Sequence, residues 1–413
     1  MEGPRGPART PGRLDSPTQT NRQPGRAHRA DALLIIAAVF AAGIALELFT
    51  RFVWEDFLIT FRFSENLAAG KGFVYREGQR VFGFTSPLNG LLPAIFKKVL
   101  GGDGYERSLW AFALVSLGVL GAGLVAHGRL LRENPSGGAG ARAETLLAAA
   151  FCLLNTKLMV FTMSGQEAGL WAGFILLGFA ALVRGVPRNW LGLGLAWGGI
   201  LWTRPDGVVQ IGLMAIAAVA IERDRRAAAT ALAKALLVCA AVYAPWAVGT
   251  WLYYGSPVPH TIIAKNGMFG HVPLPQKALK TLEALKDSVP GPFEGIYSAA
   301  GGWPGWVHWA AAALGVLCSS AWLLPRADRI LRTASFLYLG CALYLGFVQA
   351  SGMIFPWYYA PGCTLGAVVL ARLAALGLGA SRRLRVGGTA LAAAALGLSA
   401  YVGFFSAIQL RVR

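Results

Sequence analysis

Residues 105–128 read YERSLWAFALVSLGVLGAGLVAHG, a run whose only charged side chains, Glu106 and Arg107, lie at its start. A helix needs about 20 apolar residues to cross the hydrocarbon layer of a bilayer, and this run is long enough. Similar runs recur along the chain, so the sequence predicts about eleven transmembrane helices, with residues 88–100 as a further re-entrant or interfacial helix. The predicted spans are residues 33–50, 105–128, 143–162, 168–183, 189–203, 207–221, 228–252, 305–324, 332–350, 358–376 and 387–409.

The composition agrees with an all-α polytopic membrane protein. Of the 413 residues, 55% are hydrophobic and 14% are charged, and the mean hydropathy is +0.51. Soluble globular proteins average about 25% charged residues, so both a soluble and a disordered chain are excluded. The five cysteines lie in apolar runs without zinc-ligand spacing, and we interpret them as small hydrophobic side chains inside helices.

The formal net charge of +18 would suit a nucleic-acid-binding protein, but the distribution of the arginines argues against that partner. If eleven spans are threaded through a membrane, the arginine clusters all lie on one side. This is the positive-inside pattern, which predicts a multi-pass protein of the plasma (inner) membrane with a cytoplasmic N-terminus. The excess charge then complements anionic membrane lipids. The clusters are Arg129 and Arg132, Arg184 and Arg188, Arg223 to Arg226, Arg326 to Arg332, Arg382 to Arg385, and the arginines of the N-terminal tail.

The chain divides into a tail and a transmembrane domain. Residues 1–32 are rich in proline, glycine and arginine and are predicted to be a disordered basic cytoplasmic tail. Residues 33–410 form the predicted transmembrane domain, with a first external loop at 51–87 and a large external loop at 253–304. Polar groups near a membrane are costly and tend to mark function. Most of them lie in these two loops and at three corners on the same side, which are residues 164–167, 203–207 and 352–357.

The first external loop begins with two adjacent carboxylates, Glu55 and Asp56. If residues 54–68 are helical, Glu55, Arg62 and Asn66 share one face of the helix. An amphipathic helix at the membrane interface, with solvated charges, explains the same spacing. A structural ion pair between Glu55 and Arg62 is another alternative.

Six short motifs follow one another along the chain. Their combination, in this order, is a more specific signal of a protein family than any single motif. They are residues 55–63 (EDFLITFRF), 66–74 (NLAAGKGFV), 83–88 (GFTSPL), 164–167 (SGQE), 203–207 (TRPDG) and 253–265 (YYGSPVPHTIIAK). Together they resemble the motifs of GT-C fold glycosyltransferases that use polyprenyl-phosphate sugars, especially bacterial proteins similar to terminal arabinofuranosyltransferases and mannosyltransferases. Two positions depart from the family pattern: Glu55 stands in place of Asp, and Phe82 stands in place of Glu.

The resemblance implies a GT-C-like fold with a helical first external loop. It also implies transfer of a hexose or pentose from a polyprenyl-phosphate-linked donor to an acceptor hydroxyl on a glycan, lipid or protein, at an extracytoplasmic active site. No cofactor is assigned; a divalent cation, Mg or Mn, stays open, since no cluster has compelling metal-ligand spacing. The alternative is a membrane transporter or lipid-linked sugar flippase. It is disfavoured because the apolar runs carry almost no charge at the midplane and show no clear internal repeat.

The resemblance also assigns roles to individual residues. Glu55 aligns with the leading acidic residue of the family and is the first candidate for the general base, with Asp56 orienting the acceptor or the base, or binding a metal. Arg204 is the best candidate for binding the donor phosphate, with Asp206 orienting it; helix capping by both is the alternative. The other candidate substrate-binding residues are Arg62, Glu167, Lys265, Trp357 and Tyr358.

Two of these assignments have strong structural alternatives. Glu167 precedes an apolar run, so it is also explained as an acidic residue at the N-terminus of a helix. Trp357 and Tyr358 begin a predicted span, and an aromatic belt at the membrane interface is the favoured explanation for them. His260 is expected to be structural.

Overall fold

The computed structural model of the chain describes residues 24–134, 140–268, 272–296, 303–350, 352, 354–378 and 382–412. Every regular element in those ranges is helical, which confirms the predicted all-α class. The α-helices are α1 (Pro24–Thr50), α2 (Glu55–Ala68), α3 (Pro87–Leu100), α4 (Glu106–Glu133), α5 (Ala141–Leu154), α6 (Thr156–Met163), α7 (Ala168–Arg184), α8 (Val186–Thr203), α9 (Val208–Ile221), α10 (Arg225–Tyr254), α11 (His260–Met268), α12 (Leu274–Ser288), α13 (Gly305–Ser320), α14 (Arg329–Gln349), α15 (Ala360–Leu378) and α16 (Arg382–Val412).

All eleven predicted spans fall on helices, but the count of eleven crossings is not confirmed. Among the described residues, seven helices are long and apolar enough to cross a membrane: α1, α4, α10, α13, α14, α15 and α16. An eighth crossing results if α5 and α6, which are bent by 65° relative to each other, form one broken span. Helices α7 and α9 are shorter, and α8 has a kink at Asn189.

Several helices begin where the sequence provides a capping side chain. Ser86 accepts a hydrogen bond from the backbone N–H of Asn89, and Pro87 occupies the first position of α3. Asn155 and Asp328 cap α6 and α14 in the same way. These side chains satisfy backbone donors that have no partner inside the helix, and Pro87 fits because its missing N–H is not needed there.

Several of the helix ends that carry arginines lie together. Ion pairs join the start of α1, the ends of α4, α7 and α9, the starts of α5 and α14, and the last third of α15. They are Arg132–Asp31 (3.5 Å), Arg142–Asp31 (3.0 Å), Arg184–Glu133 (2.6 Å), Arg329–Glu222 (2.6 Å), Arg372–Glu144 (2.7 Å) and Arg372–Asp328. These pairs hold one end of the helix bundle together, which we call the arginine end.

Parts of the predicted tail and of the large loop lie outside the described residues. Residues 1–23 of the tail are among them, and α1 begins at Pro24, before the predicted boundary at residue 33. The first loop is helical as predicted, because it contains α2. The large loop at 253–304 contains α11 and α12, and its residues 269–271 and 297–302 are not described.

We predict that Arg372→Met lowers the free energy of unfolding by about 3–5 kcal/mol, because it leaves the buried carboxylate of Glu144 and the partly buried carboxylate of Asp328 without their cation. Arg142→Met is the matched control. The Arg142 side chain is 65% exposed, against 3% for Arg372, so its loss should cost only about 0–1 kcal/mol. Thermal unfolding of the purified protein in detergent measures both, and equal shifts in Tm would contradict the prediction.

Candidate functional site

A cavity of about 330 Å³ lies at the end of the bundle opposite the arginine end. Helix α7 shows the relation directly: Glu167, which precedes its first residue, lines the cavity, whereas Arg184 at its last residue pairs with Glu133. Side chains from distant parts of the chain converge there. The polar lining includes Asp56, Thr60, Thr85, Ser86, Asn89, Gln166, Glu167, Arg204 and Thr261.

Helix α2 is fixed against the corner at residues 164–167 by a close approach of two backbones. The N–H of Trp54 donates to the carbonyl of Ser164 at 3.2 Å. Gly165 has a φ of +87°, and a Cβ at this position would lie 2.3 Å from Cγ of Phe57. Only glycine permits both the backbone conformation and the packing. These contacts place the start of α2 next to the corner that carries Glu167.

The two adjacent carboxylates of α2 point in different directions. Asp56 is half-buried and lines the cavity, whereas Glu55 is exposed and is not part of the lining. Successive residues of an α-helix are rotated by about 100°, so two neighbours need not face the same cavity. Glu55, the first candidate for the base from the sequence, is therefore the less suitable of the two carboxylates.

Arg62 lies outside the cavity as well. Its guanidinium pairs with Glu65 at 2.6 Å, and both side chains are largely accessible to solvent. Arg62 thus pairs with Glu65 and not with Glu55, the partner that the sequence had left as an alternative. Asn66, on the same helix, is buried and donates to the carbonyls of Val74 and Tyr75, so it holds the first loop in place.

Arg204 is the centre of a buried hydrogen-bond network. Its side chain is 4% exposed and donates from Nη1 to Glu167 at 2.7 Å, and from Nε and Nη2 to Asp206 at 2.8 and 3.2 Å. Asn89 donates to the other oxygen of Glu167 at 3.4 Å, and the hydroxyl of Tyr344 donates to Asp206 at 2.9 Å. The network joins α3, two corners of the chain and α14.

The charge of Arg204 is well compensated. Burial lowers the pKa of its guanidinium, but Asp206, Tyr358 and Glu167 outweigh that effect, and the pKa is raised well above its ordinary value. The guanidinium also lies over the rings of Tyr358, at 4.3 Å, and Trp171, at 5.2 Å. Arg204 therefore stays charged, and the alternative of simple helix capping does not account for these contacts.

Trp357 and Tyr358 face inward rather than forming an outward aromatic belt. Trp357 is 6% exposed, lines the cavity and stacks on Phe355 with ring centroids 4.6 Å apart. Its ring edge also packs against Trp54 and Phe161. The belt explanation favoured by the sequence is thus wrong for Trp357, and Tyr358 covers Arg204 as described above.

Two side chains of the resembling motifs serve the structure instead of the cavity. Phe82 is buried and stacks on Tyr254 with centroids 4.8 Å apart. Its N–H donates to Nδ1 of His260, and its carbonyl accepts from the N–H of His260, so these residues join the two loops. Lys265 belongs to α11, but its side chain lies outside the described residues.

Sequence reasoning did not assign the three cavity residues that carry unpaired buried polar atoms: Asn89, Gln166 and Thr261. Oδ1 of Asn89, Nε2 of Gln166 and Oγ1 of Thr261 are buried and have no hydrogen-bond partner among the described residues. Buried polar atoms normally have partners, so unpaired ones in a cavity indicate where a ligand could bind. Gln166 lies within the SGQE motif, Thr261 lies within residues 253–265, and Asn89 directly follows the GFTSPL motif. This position in or next to a motif was the only signal in the sequence.

No three acidic, histidine or cysteine side chains come together in a way that could hold a metal ion in the described part of the chain. Of the two carboxylates that line the cavity, Glu167 is already bound by Arg204 and Asn89. The described residues therefore do not fit the divalent cation that the sequence left open, and no step of the mechanism below uses one.

No protein-family model and no curated protein sequence matches this chain. Among solved structures, it is similar to ArnT from Cupriavidus metallidurans bound to undecaprenyl phosphate, with a TM-score of 0.56 and 15% identity over 92% of this chain and 77% of that one. It is also similar to an Archaeoglobus fulgidus oligosaccharyltransferase tethered with an acceptor peptide. There the TM-score is 0.50 and the identity 14%, over 94% of this chain and 55% of that one.

These likenesses confirm the fold that the order of the motifs predicted. The chain is an all-α, multi-pass membrane protein with the GT-C fold.

We predict that Gly165→Ala lowers the free energy of unfolding by about 1–3 kcal/mol, because the new Cβ requires a strained backbone and displaces Phe57. Gly212→Ala is the control: Gly212 lies within α9, and a Cβ there meets no atom within 4 Å. Its Tm should stay the same or rise slightly. If Gly165→Ala unfolds at the wild-type temperature, the close packing of α2 on this corner is incorrect.

Proposed function

We propose that the protein is a membrane glycosyltransferase that transfers a sugar from a polyprenyl-phosphate-linked donor to an acceptor hydroxyl on the extracytoplasmic face. The acceptor belongs to a glycan, a lipid or a protein. The observation that carries the proposal is a single cavity that is lined by a carboxylate, Asp56, and a buried guanidinium, Arg204. The fold is shared with ArnT, whose structure contains undecaprenyl phosphate, and this supports a polyprenyl-linked donor.

Asp56 is the proposed general base. In the reaction, the acceptor oxygen forms a bond to the anomeric carbon while the bond from that carbon to the phosphate oxygen breaks. The acceptor hydroxyl gives its proton to the carboxylate of Asp56, and the departing polyprenyl phosphate keeps the bonding electron pair. A base must lie within hydrogen-bond reach of the proton that it removes, and of the two adjacent carboxylates only Asp56 lines the cavity.

Arg204 is the proposed partner of the phosphate. Arginine has five N–H donors, and the hydrogen bonds to Glu167 and Asp206 use three of them, which leaves two for phosphate oxygens. The two carboxylates hold the guanidinium in one orientation before the donor binds. Fixed charges of this kind stabilise developing charge without reorganising during the reaction.

The size of the cavity supports a donor with a lipid tail outside it. Ligand pockets commonly measure about 300–1,000 Å³, and this cavity of about 330 Å³ is at the lower end. It has room for a sugar and its phosphate but not for a polyprenyl chain. Ile59 lines the cavity and is 47% exposed, and the polyprenyl chain is proposed to leave the cavity past this side chain.

The face of the membrane follows from the arginine end. Arginine-rich loops remain in the cytoplasm during insertion, so the arginine end is assigned to the cytoplasm. Because the cavity lies at the other end of the same helices, it is assigned to the extracytoplasmic side.

We predict that Asp56→Asn lowers kcat for sugar transfer by at least about 100-fold, which is the usual contribution of a general base. Glu55→Gln is the matched control and should retain nearly wild-type turnover, since Glu55 is exposed and outside the cavity. The assay uses proteoliposomes with radiolabelled polyprenyl-phosphate sugars and candidate acceptors, and it follows the label and the release of polyprenyl phosphate.

Undiminished turnover of Asp56→Asn would refute the assignment of the base. Labelled lipid that crosses the bilayer intact, without release of polyprenyl phosphate, would instead favour the transporter or flippase alternative.

A further inference from the structure

The cavity contains two amide side chains that the proposed mechanism does not use. Gln166 and Asn89 are each 3% exposed, and both line the cavity. Nε2 of Gln166 and Oδ1 of Asn89 have no hydrogen-bond partner among the described residues. The cavity therefore offers one unpaired donor and one unpaired acceptor, and both are uncharged.

The surrounding contacts fix the amide of Asn89 and the backbone at Gln166. Glu167 accepts hydrogen bonds only, so the nitrogen of the Asn89 amide faces it and the oxygen is the atom left for a ligand. Asn89 lies in the first turn of α3, where Ser86 caps its backbone N–H. Gln166 follows Gly165, whose packing against Phe57 fixes the backbone of this corner. Groups held in this way can select between ligands, because they do not move to suit the wrong one.

A sugar hydroxyl matches this pair of atoms. A hydroxyl both donates and accepts, so one hydroxyl, or two neighbouring ones, can satisfy Oδ1 of Asn89 and Nε2 of Gln166. The unpaired hydroxyl of Thr261 lines the same cavity and adds a third contact. An anionic sugar is disfavoured there, because the donor phosphate takes the remaining N–H donors of Arg204 and the carboxylate of Asp56 also lines the cavity.

We propose that Gln166 and Asn89 determine specificity by binding ring hydroxyls of the transferred sugar, and that this sugar is neutral. The inference rests on the proposed function. In a displacement at the anomeric carbon, the transferred sugar lies between the acceptor hydroxyl, which Asp56 binds, and the phosphate, which Arg204 binds. Residues that line the same cavity as both groups contact that sugar. A site built to bind a hydroxyl discriminates strongly against an analogue that lacks it.

The test compares donors in the same proteoliposome assay. The probes are polyprenyl-phosphate-linked mannose, glucose, arabinofuranose and glucuronic acid, followed by the monodeoxy analogues of the best donor. The wild type should transfer a neutral sugar and should prefer it over one monodeoxy analogue by at least about tenfold in kcat/KM. Gln166→Leu should reduce that preference to near one, mainly by lowering kcat/KM for the complete sugar. Gln166→Glu replaces the donor by an acceptor in a side chain of the same length and should also abolish the preference.

Gln210→Leu is the matched control for these variants. Gln210 is as buried as Gln166, but it lies in α9 and does not line the cavity. It should leave the ratio between the complete and the deoxy donor unchanged. The Tm of each variant shows whether it is folded, and the ratio is a readout that a loss of stability alone does not change.

The assay distinguishes a failure of this inference from a failure of the proposed function. If the wild type transfers a sugar and both Gln166 variants keep its preference, or if glucuronic acid is the best donor, this inference is overturned while the proposed function stands. If the folded wild type transfers none of the lipid-linked sugars to any acceptor, the proposed function and this inference both fail.

Discussion

The cavity depends on one buried cation. Arg204 is almost completely removed from solvent, and a buried charge without partners would strongly destabilise the fold. Glu167 and Asp206 supply the compensation, and Asn89 and Tyr344 in turn hold those carboxylates. Because these side chains come from separate parts of the chain, satisfying one guanidinium brings the walls of the cavity together. In the proposed function the same network presents a fixed positive charge to the donor phosphate, so stability and proposed function share one set of contacts.

The bundle keeps its polar side chains at two opposite ends. In α14, Arg329 at the first turn pairs with Glu222, while Tyr344 near the other end reaches Asp206. Helix α7 shows the same division between Glu167 and Arg184. The arginine end is closed by ion pairs, whereas the other end encloses a cavity. This asymmetry suits a protein that binds a lipid-linked donor from one side of a membrane and has no need to open toward the other.

Much of the fold could be predicted from the sequence, since the length and apolar character of a helix are local properties. The number of crossings could not, because it depends on tertiary contacts. The break between α5 and α6 is one example: Asn155 donates to the carbonyl of Pro292, and Lys157 to that of Gly291, in a distant loop. In the site, Glu167, Arg204 and Asp206 were found from their motifs. The choice between Glu55 and Asp56 required the packing of Phe57 on Gly165, and the unpaired amides of Asn89 and Gln166 are visible only in three dimensions.

The proposed function requires that the cavity and the arginine end lie on opposite sides of the membrane, with the cavity outside. Single cysteines test it most directly, because the five native cysteines are buried and should not react with an impermeant maleimide. Glu55→Cys, next to the cavity, and Arg225→Cys, in the exposed turn that begins α10, provide the two labelling positions. In intact cells, the cysteine at position 55 should be labelled, and the cysteine at position 225 should be labelled only after permeabilisation. Labelling of both from the same side, or of position 225 alone, would contradict the account.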